Sequence, residues 1–588
     1  MTALFLLALA WPLCVALGAA GQAFRASARR RYFGLSWVSA AWPALALAFA
    51  GEGAWEWAPW LLGGEWALDA LARPWLAFTA LLWSLAALHA CGYFKRAQAR
   101  ARDGDGDEAY RLSRFALCWP LAFLGNALLI VSRDVASFYL GFALMTFAAY
   151  SLVLHHQSLD AKRGASAYLI LAVIGEGLIL GGLLWAAGSG EATTLEGVRE
   201  AITQAPGGVW MALLLWLGFG VKAGVIGLHV WLPLAHPVAP APASAVLSGA
   251  MIKAGLLGWL SFLPLGAEAL SPAFTTLGEA MLVAGFAAAF GAALYGVAQA
   301  HPKAVLAYSS ISQMGMLTVL VAMGLVNAEV WPLLLPGIVL FAGHHALAKG
   351  ALFLGTSVSE HMPRLPRALL WLLLALPGLS LTGAFGAGLV SKYTFKHALE
   401  EMAHARIVFL LTLAAVGTAA LVSVCLWRQW QTRSAGGSDA WQVTAWTLAA
   451  VAALAAPWWL PLPEGSVYVP SLSSLGSLVW PLPVGVALVA LGVALGRALS
   501  LSPWRPGDLW WGYRPLGLFG VALCQRLAQA CGRVKGGSVD AALALERRAM
   551  AWLTHTLEGE TWLRRHGSGL MMALAVVLAL LLIWEGHG

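Results

Sequence analysis

Four lysines, Lys222, Lys253, Lys349 and Lys392, stand inside long apolar stretches, with Glu176 and His345 at comparable depth. An ammonium at the centre of a bilayer costs about 3 kcal/mol on insertion scales. Together these groups would cost on the order of 10 kcal/mol or more if they only filled space. A series of buried titratable groups is what a proton or cation path requires, because each site must hold and release charge in turn. His345 and Lys349 are four residues apart, so they share one helix face, where an imidazole and an amine can pass a proton. A buried lysine keeps or gives up its proton according to where a carboxylate partner stands, so moving the partner switches it.

The elements that must hold these groups follow from composition. Of 588 residues, 60% are hydrophobic and 11% charged, which marks an all-α polytopic membrane protein. Cutting the chain wherever about 20 apolar residues lie between polar or Pro/Gly-rich breaks predicts about 16 spans. They centre near residues 11, 42, 83, 122, 145, 176, 217, 251, 284, 315, 344, 380, 416, 450, 488 and 577. Met1 to Ala20 lacks a basic leading region and reads as the first span, not a removable signal. Glycines around Lys222, and Gly378, Gly383, Gly386 and Gly388 ahead of Lys392, suit interrupted helices whose freed backbone groups line a hydrated cavity. The seventh and twelfth spans repeat this theme five spans apart, which points to two structural repeats.

Loop charge alternates along the chain. Basic loops follow the first, third, fifth, eleventh, thirteenth and fifteenth spans, from Arg29–Arg31 through Lys95, Lys162, Arg364 and Arg428 to the segment 501–567. The opposite loops carry Glu52, Glu56, Glu65, Glu196, Glu200, Glu268, Glu329 and Glu464. The positive-inside rule then places both termini outside the cytoplasm of a bacterial-type inner membrane, and assigns the net charge of +8 to the inner face, not to nucleic acid. The tryptophans read as an interfacial belt, and Val539–Leu553 reads as either a surface amphipathic helix or a docking segment. The six cysteines form no CxxC pair, and no iron–sulfur, zinc or c-haem site is indicated. His155-His156 and His344-His345 do not sit as a pair of haem ligands would, the first at a span end and the second deep inside one. No cofactor or metal is expected.

The most specific stretch runs Lys222-Ala-Gly-Val-Ile-Gly-Leu-His229-Val-Trp231-Leu-Pro233-Leu-Ala-His236-Pro237 and on to Ser248-Gly249-Ala-Met-Ile-Lys253. Two further signatures follow in order, Lys303-Ala-Val-Leu-Ala307-Tyr308-Ser309-Ser310, then His345-Ala-Leu-Ala-Lys349 with Ser391-Lys392-Tyr393. Over residues 115 to 400 the chain resembles the antiporter-like proton-translocating subunits of respiratory complex I, membrane-bound hydrogenases and Mrp-type Na+/H+ antiporters. The resemblance implies that the two repeats are inverted, five helices each, with a half-channel in each. It divides the chain into N-terminal helices 1–112, a first repeat 113–265, a second repeat 266–430, and C-terminal helices with a basic segment 431–588. Depth and the match to family positions together mark a proton path through Lys222, Lys253, His345, Lys349 and Lys392, to which depth alone adds Glu176, with His229, His236 and Lys303 as secondary candidates. For Lys303 and Lys396, snorkelling to the headgroups is the competing reading.

Three departures bear on the first half-channel. The fifth span reads Phe138-Tyr-Leu-Gly-Phe142-Ala143-Leu-Met145, without the glutamate that family members pair with the seventh-span lysine. Leu234 and His301 stand where acidic residues are common. Glu176 is the nearby intramembrane carboxylate that can take over. The leading expectation is a proton-translocating subunit of a redox-driven complex, with other membrane subunits and peripheral redox subunits as partners and no redox centre on this chain. The alternatives are a subunit of a Na+/H+ antiporter or ion-coupled uptake system, moving H+ or Na+, and a channel-inactive scaffold.

Overall fold

Twelve helices among the described residues are long and apolar enough to cross a membrane. Three shorter apolar helices, Leu35–Phe49, Gly208–Ala223 and Ala440–Leu454, stand where the second, seventh and fourteenth spans are expected. The computed structural model describes residues 1–23, 32–58, 60, 63–190, 192–361, 366–431, 437–498 and 503–513. The sixteenth predicted span, near residue 577, and the segment Val539–Leu553 lie outside the described residues. The protein is an all-α, multi-pass membrane protein. Every helix treated below belongs to one compact unit, residues 1–58 and 62–506; in the second unit, 59–61 and 507–588, a helical turn begins at Trp510.

Polar side chains at the span ends set where helices start. Asp105, Asp134, Ser158 and Asp439 precede the fourth, fifth, sixth and fourteenth spans, and each side chain accepts a first-turn backbone N–H. These groups have no partner within the helix, and in a bilayer no water replaces one.

Burial sorts the helices into an interior and a rim. Every residue from Lys303 to Leu325 in the tenth span and from Gly337 to Ser359 in the eleventh is buried. A helix apolar on all sides with neighbours all round is a core element. The sixth span, Leu159–Ser189, instead exposes Ile170, Val173, Ile174 and Leu184, a face suited to lipid.

Two features depart from the sequence reading. A short antiparallel pair, Gly53–Trp57 with Gly64–Leu68, fills the first acidic loop, where Trp55 and Trp66 meet across the strands at 4.8 Å. The tryptophans are not only a belt: Trp75, Trp83, Trp119, Trp231, Trp259 and Trp446 are fully buried, while Trp11, Trp210, Trp441 and Trp458 are exposed. Indole N–H groups explain part of the inward set, since Trp231 and Trp259 each donate to a backbone carbonyl of the seventh span, Val221 at 2.8 Å and Trp216 at 3.0 Å.

Candidate functional site

The seventh span breaks at glycine. Gly208–Ala223 ends at Gly224, whose φ of +84° is a left-handed conformation that favours glycine, and the helix resumes as Trp231–Val238. Lys222 sits in the last turn before the break, where the helix dipole favours a cation. Its Nζ donates to the phenol oxygen of Tyr168 at 2.8 Å, and the Tyr168 hydroxyl donates in turn to the Thr146 carbonyl at 3.0 Å. The ammonium also lies 4.8 Å from the Tyr168 ring centroid and 5.7 Å from that of Phe142.

Glu176, near the middle of the sixth span, lines the same cavity of about 10 Å³, with Thr146, Tyr168 and Lys222. That is about the space of one water. The expected direct carboxylate–lysine pair is not formed. Lys222 reaches the tyrosine instead, and Oε1 of Glu176 has no protein partner.

The eighth span holds a distortion of another kind. Between Ala241–Val246 and Ile252–Phe262 the backbone widens into a π-turn, Leu247–Met251, which contains the Ser248 carbonyl. Lys253 Nζ takes that carbonyl, Ser248 O, at 2.9 Å and approaches His345 Nδ1 at 2.5 Å. Gly249 permits the close approach, because a Cβ there would lie 2.7 Å from the Ala346 carbonyl. Lys349 donates to the Leu306 carbonyl of the tenth span at 2.9 Å. His345 and Lys349 thus share a face, as their spacing implies, yet each is held by a different neighbour.

The twelfth span breaks between Thr382 and Gly386, with Gly383 at φ +88°. Lys392 follows this break, whereas Lys222 precedes its own. Lys392 Nζ donates to the Thr382 carbonyl at 3.0 Å, a group freed by the broken helix end. Beside it, His344 Nε2 lies 2.8 Å from Ser380 Oγ, which also accepts from the Gly388 N–H at 3.2 Å. His344 enters the site unforeseen. Its sequence signal was its adjacency to His345, weighed only as a haem pair.

The secondary candidates differ in their surroundings. His229 Nδ1 accepts the Gly227 N–H at 3.2 Å within the seventh-span break. His236 stacks on Phe353 at 4.6 Å. Lys303 does not snorkel, since its Nζ donates to the Ala239 carbonyl at 2.8 Å, and Lys396 is buried as well. His301, in place of an acidic residue, accepts the Lys303 N–H and so starts the tenth span. His155 packs against Phe94 and Phe115 in an aromatic cluster. Among the described residues no group of three or more His, Cys, Asp or Glu is placed to hold a metal ion.

Three lysines therefore end on backbone carbonyls that helix irregularities or packing leave available, and the fourth ends on a phenol. Residues 132–418 match the family model described as NADH:quinone oxidoreductase/Mrp antiporter, transmembrane region. This antiporter-like segment belongs to that family. Hydrogenase-4 component B of Escherichia coli is 30% identical over 286 residues, 47% of this chain and 41% of that protein. Na(+)/H(+) antiporter subunit A1 of Staphylococcus haemolyticus is 28% identical over 359 residues, 57% of this chain and 42% of that protein. The match thus spans well under half of either relative. The fold of the antiporter-like protein superposes on a chain of the Mrp complex from Dietzia sp. DQ12-45-1b with a TM-score of 0.70, at 22% identity, over 93% of this chain and 63% of that one.

Proposed function

We propose that this chain is a proton-translocating membrane subunit of a redox-driven multisubunit complex, in which partner subunits carry out electron transfer. The observation that carries the reading is the placement of Lys222 and Lys392 at the two helix breaks, with the Lys253–His345 contact between the repeats. A lysine at a break exchanges its acceptor when the broken ends shift. That couples a small helix movement to the holding or release of a proton. The proposed path runs through Lys222, Lys253, His345, Lys349 and Lys392, with Glu176 as the carboxylate of the first half-channel. Residues 113–265 and 266–430 form the two repeats, each with a broken helix that carries a buried lysine.

A second reading, a subunit of a cation/proton antiporter without a redox partner, is favoured by the fold overlap with a chain of the Mrp complex. Gentle solubilisation followed by mass spectrometry of the co-purifying subunits separates the two. Iron–sulfur or nickel–iron subunits select the first reading, and small membrane subunits alone select the second. We place the chain in an inner cell membrane with both termini outside the cytoplasm. Cys524 and Cys531, which lie outside the described residues, test this map: labelling of either by an impermeant reagent added outside sealed cells overturns it.

A further inference from the structure

His345, Lys349, Phe353, Ser357 and His361 recur every fourth residue of the eleventh span, so they form one stripe down that helix. From Lys349 to His361 the stripe covers about 18 Å at 1.5 Å per residue. That is enough to run from mid-membrane to a headgroup face, taking about 15 Å for half the hydrocarbon core. His361 ends the helix and is only half-buried, and Arg367 opens the next helix, Arg367–Thr382.

Neighbouring helices complete the stripe with polar groups. Ser357 Oγ lies 2.9 Å from His89 Nε2 of the third span and 3.0 Å from the Leu354 carbonyl. The hydroxyl can therefore donate to either and accept from the imidazole, which lets a proton pass in both directions. His361 Nδ1 lies 2.9 Å from the Ser357 carbonyl. Phe353 is the one apolar member of the stripe. There the second half of the broken seventh span lays His236 flat on the Phe353 ring, 4.6 Å between centroids and 22° between planes. His236 is fully buried, and neither ring nitrogen has a protein partner. The charged groups whose fields reach it are Lys303 and Lys349. A buried polar ring without partners calls for an explanation, and proton carriage past an apolar constriction supplies one.

We propose that His361, Ser357, His89 and His236 form the access route by which protons pass between the Arg367 side of the membrane and Lys349, with Phe353 as its constriction. The proposal rests on the translocation reading above and extends it to His89, Ser357 and His361. A proton enters at one nitrogen of His236 and leaves from the other, so the ring bridges Phe353 without a continuous water file.

The test uses the assembled complex with a version of this chain that lacks its six native cysteines. Ser357→Cys is expected to react with a small impermeant methanethiosulfonate from the Arg367 side and not from the other, and the reaction is expected to abolish translocation. Reaction only from the opposite side, or from neither, overturns the route. His89→Leu and His236→Leu are each expected to slow translocation by about tenfold or more, the scale of losing a positioned proton-transfer group. Full-rate translocation in the double variant likewise overturns it. Should His89→Leu not assemble, Ser357→Ala removes the hydroxyl alone and carries the same expectation. A native complex that moves no protons overturns the functional reading instead, and is told apart because one-sided labelling of Ser357→Cys persists.

Discussion

Lys253 Nζ and His345 Nδ1 lie 2.5 Å apart between the eighth and eleventh spans, and both side chains are fully buried. At that separation one nitrogen donates a hydrogen to a lone pair of the other. Lys349 stands one turn along from His345 on the same helix and is fully buried as well.

Lys253→Met keeps the volume near that of lysine and removes the amine, so the complex is expected to assemble while translocation is lost. His345→Leu is expected to do the same. Because one contact links the two, the double variant should lose no more than either single one. Proton uptake by sealed vesicles measures this, and losses that multiply would mean the residues act independently.

Gly388 is predicted to be intolerant of any side chain. A Cβ there would lie 1.6 Å from the Ser380 carbonyl oxygen and 2.9 Å from His344 Cε1, so the twelfth-span break would have to open. Gly388→Ala should destabilise by roughly 3 kcal/mol or more, in the range of a strained or overpacked core. Gly177→Ala, with nothing within 4 Å of its added Cβ, should change stability by no more than about 1 kcal/mol. Thermal denaturation of the purified complex compares the two, and equal midpoints would contradict the prediction.

Much of this arrangement is legible in the sequence, because hydropathy and depth depend on a residue's own stretch of chain. Lys222, Lys253, Lys349 and Lys392 stand out as charges in apolar surroundings, and glycine marks both helix breaks. The partners are not legible, because they come from distant helices. Nothing near Lys222 in the sequence indicates Tyr168, and nothing near Lys253 indicates that a π-turn offers it the Ser248 carbonyl. His344 was hidden by its neighbour, since two adjacent histidines on a helix point to different faces. The inward tryptophans were missed for a related reason: composition counts them but does not say which faces are lipid.

Asp439 caps the fourteenth span and pairs with Lys95 at 2.8 Å. Asp439→Ala should cost about 1 kcal/mol through the lost cap, whereas Asp439→Asn keeps the cap and loses only the ion pair. Partial burial pushes the Asp439 carboxyl up, but the hydrogen bonds from Lys95 and the Trp441 N–H outweigh it and hold the group below its ordinary value. The stabilisation from its charge is therefore complete above the unfolded carboxylate value of about 3.9 and is lost as pH falls through the lower folded one. The stability difference between native Asp439 and Asp439→Asn should shrink over that acidic window. A difference that stays constant would show that the charge contributes nothing.

Tyr168 and Glu176 both line the small cavity at Lys222. The phenol holds the Lys222 ammonium at 2.8 Å, while the carboxylate stands in the same small cavity without a bond to it. Tyr168→Phe removes the acceptor and leaves the ring, so Lys222 should turn to Glu176, the nearest remaining oxygen group that can carry the opposite charge. Translocation should then slow but persist. Glu176→Gln removes the only carboxylate lining the cavity, and the proton on Lys222 loses its compensating charge whichever way the side chain points. That variant should lose most of its translocation, and Ala143→Glu, which restores the family pattern one residue from Phe142, should recover part of it. Vesicle proton uptake ranks the variants, and infrared difference spectra report whether the carboxyl changes protonation during turnover. If Glu176→Gln translocates at the native rate, or if the carboxyl stays protonated throughout, the carboxylate has no part in the first half-channel and Tyr168 alone positions the lysine.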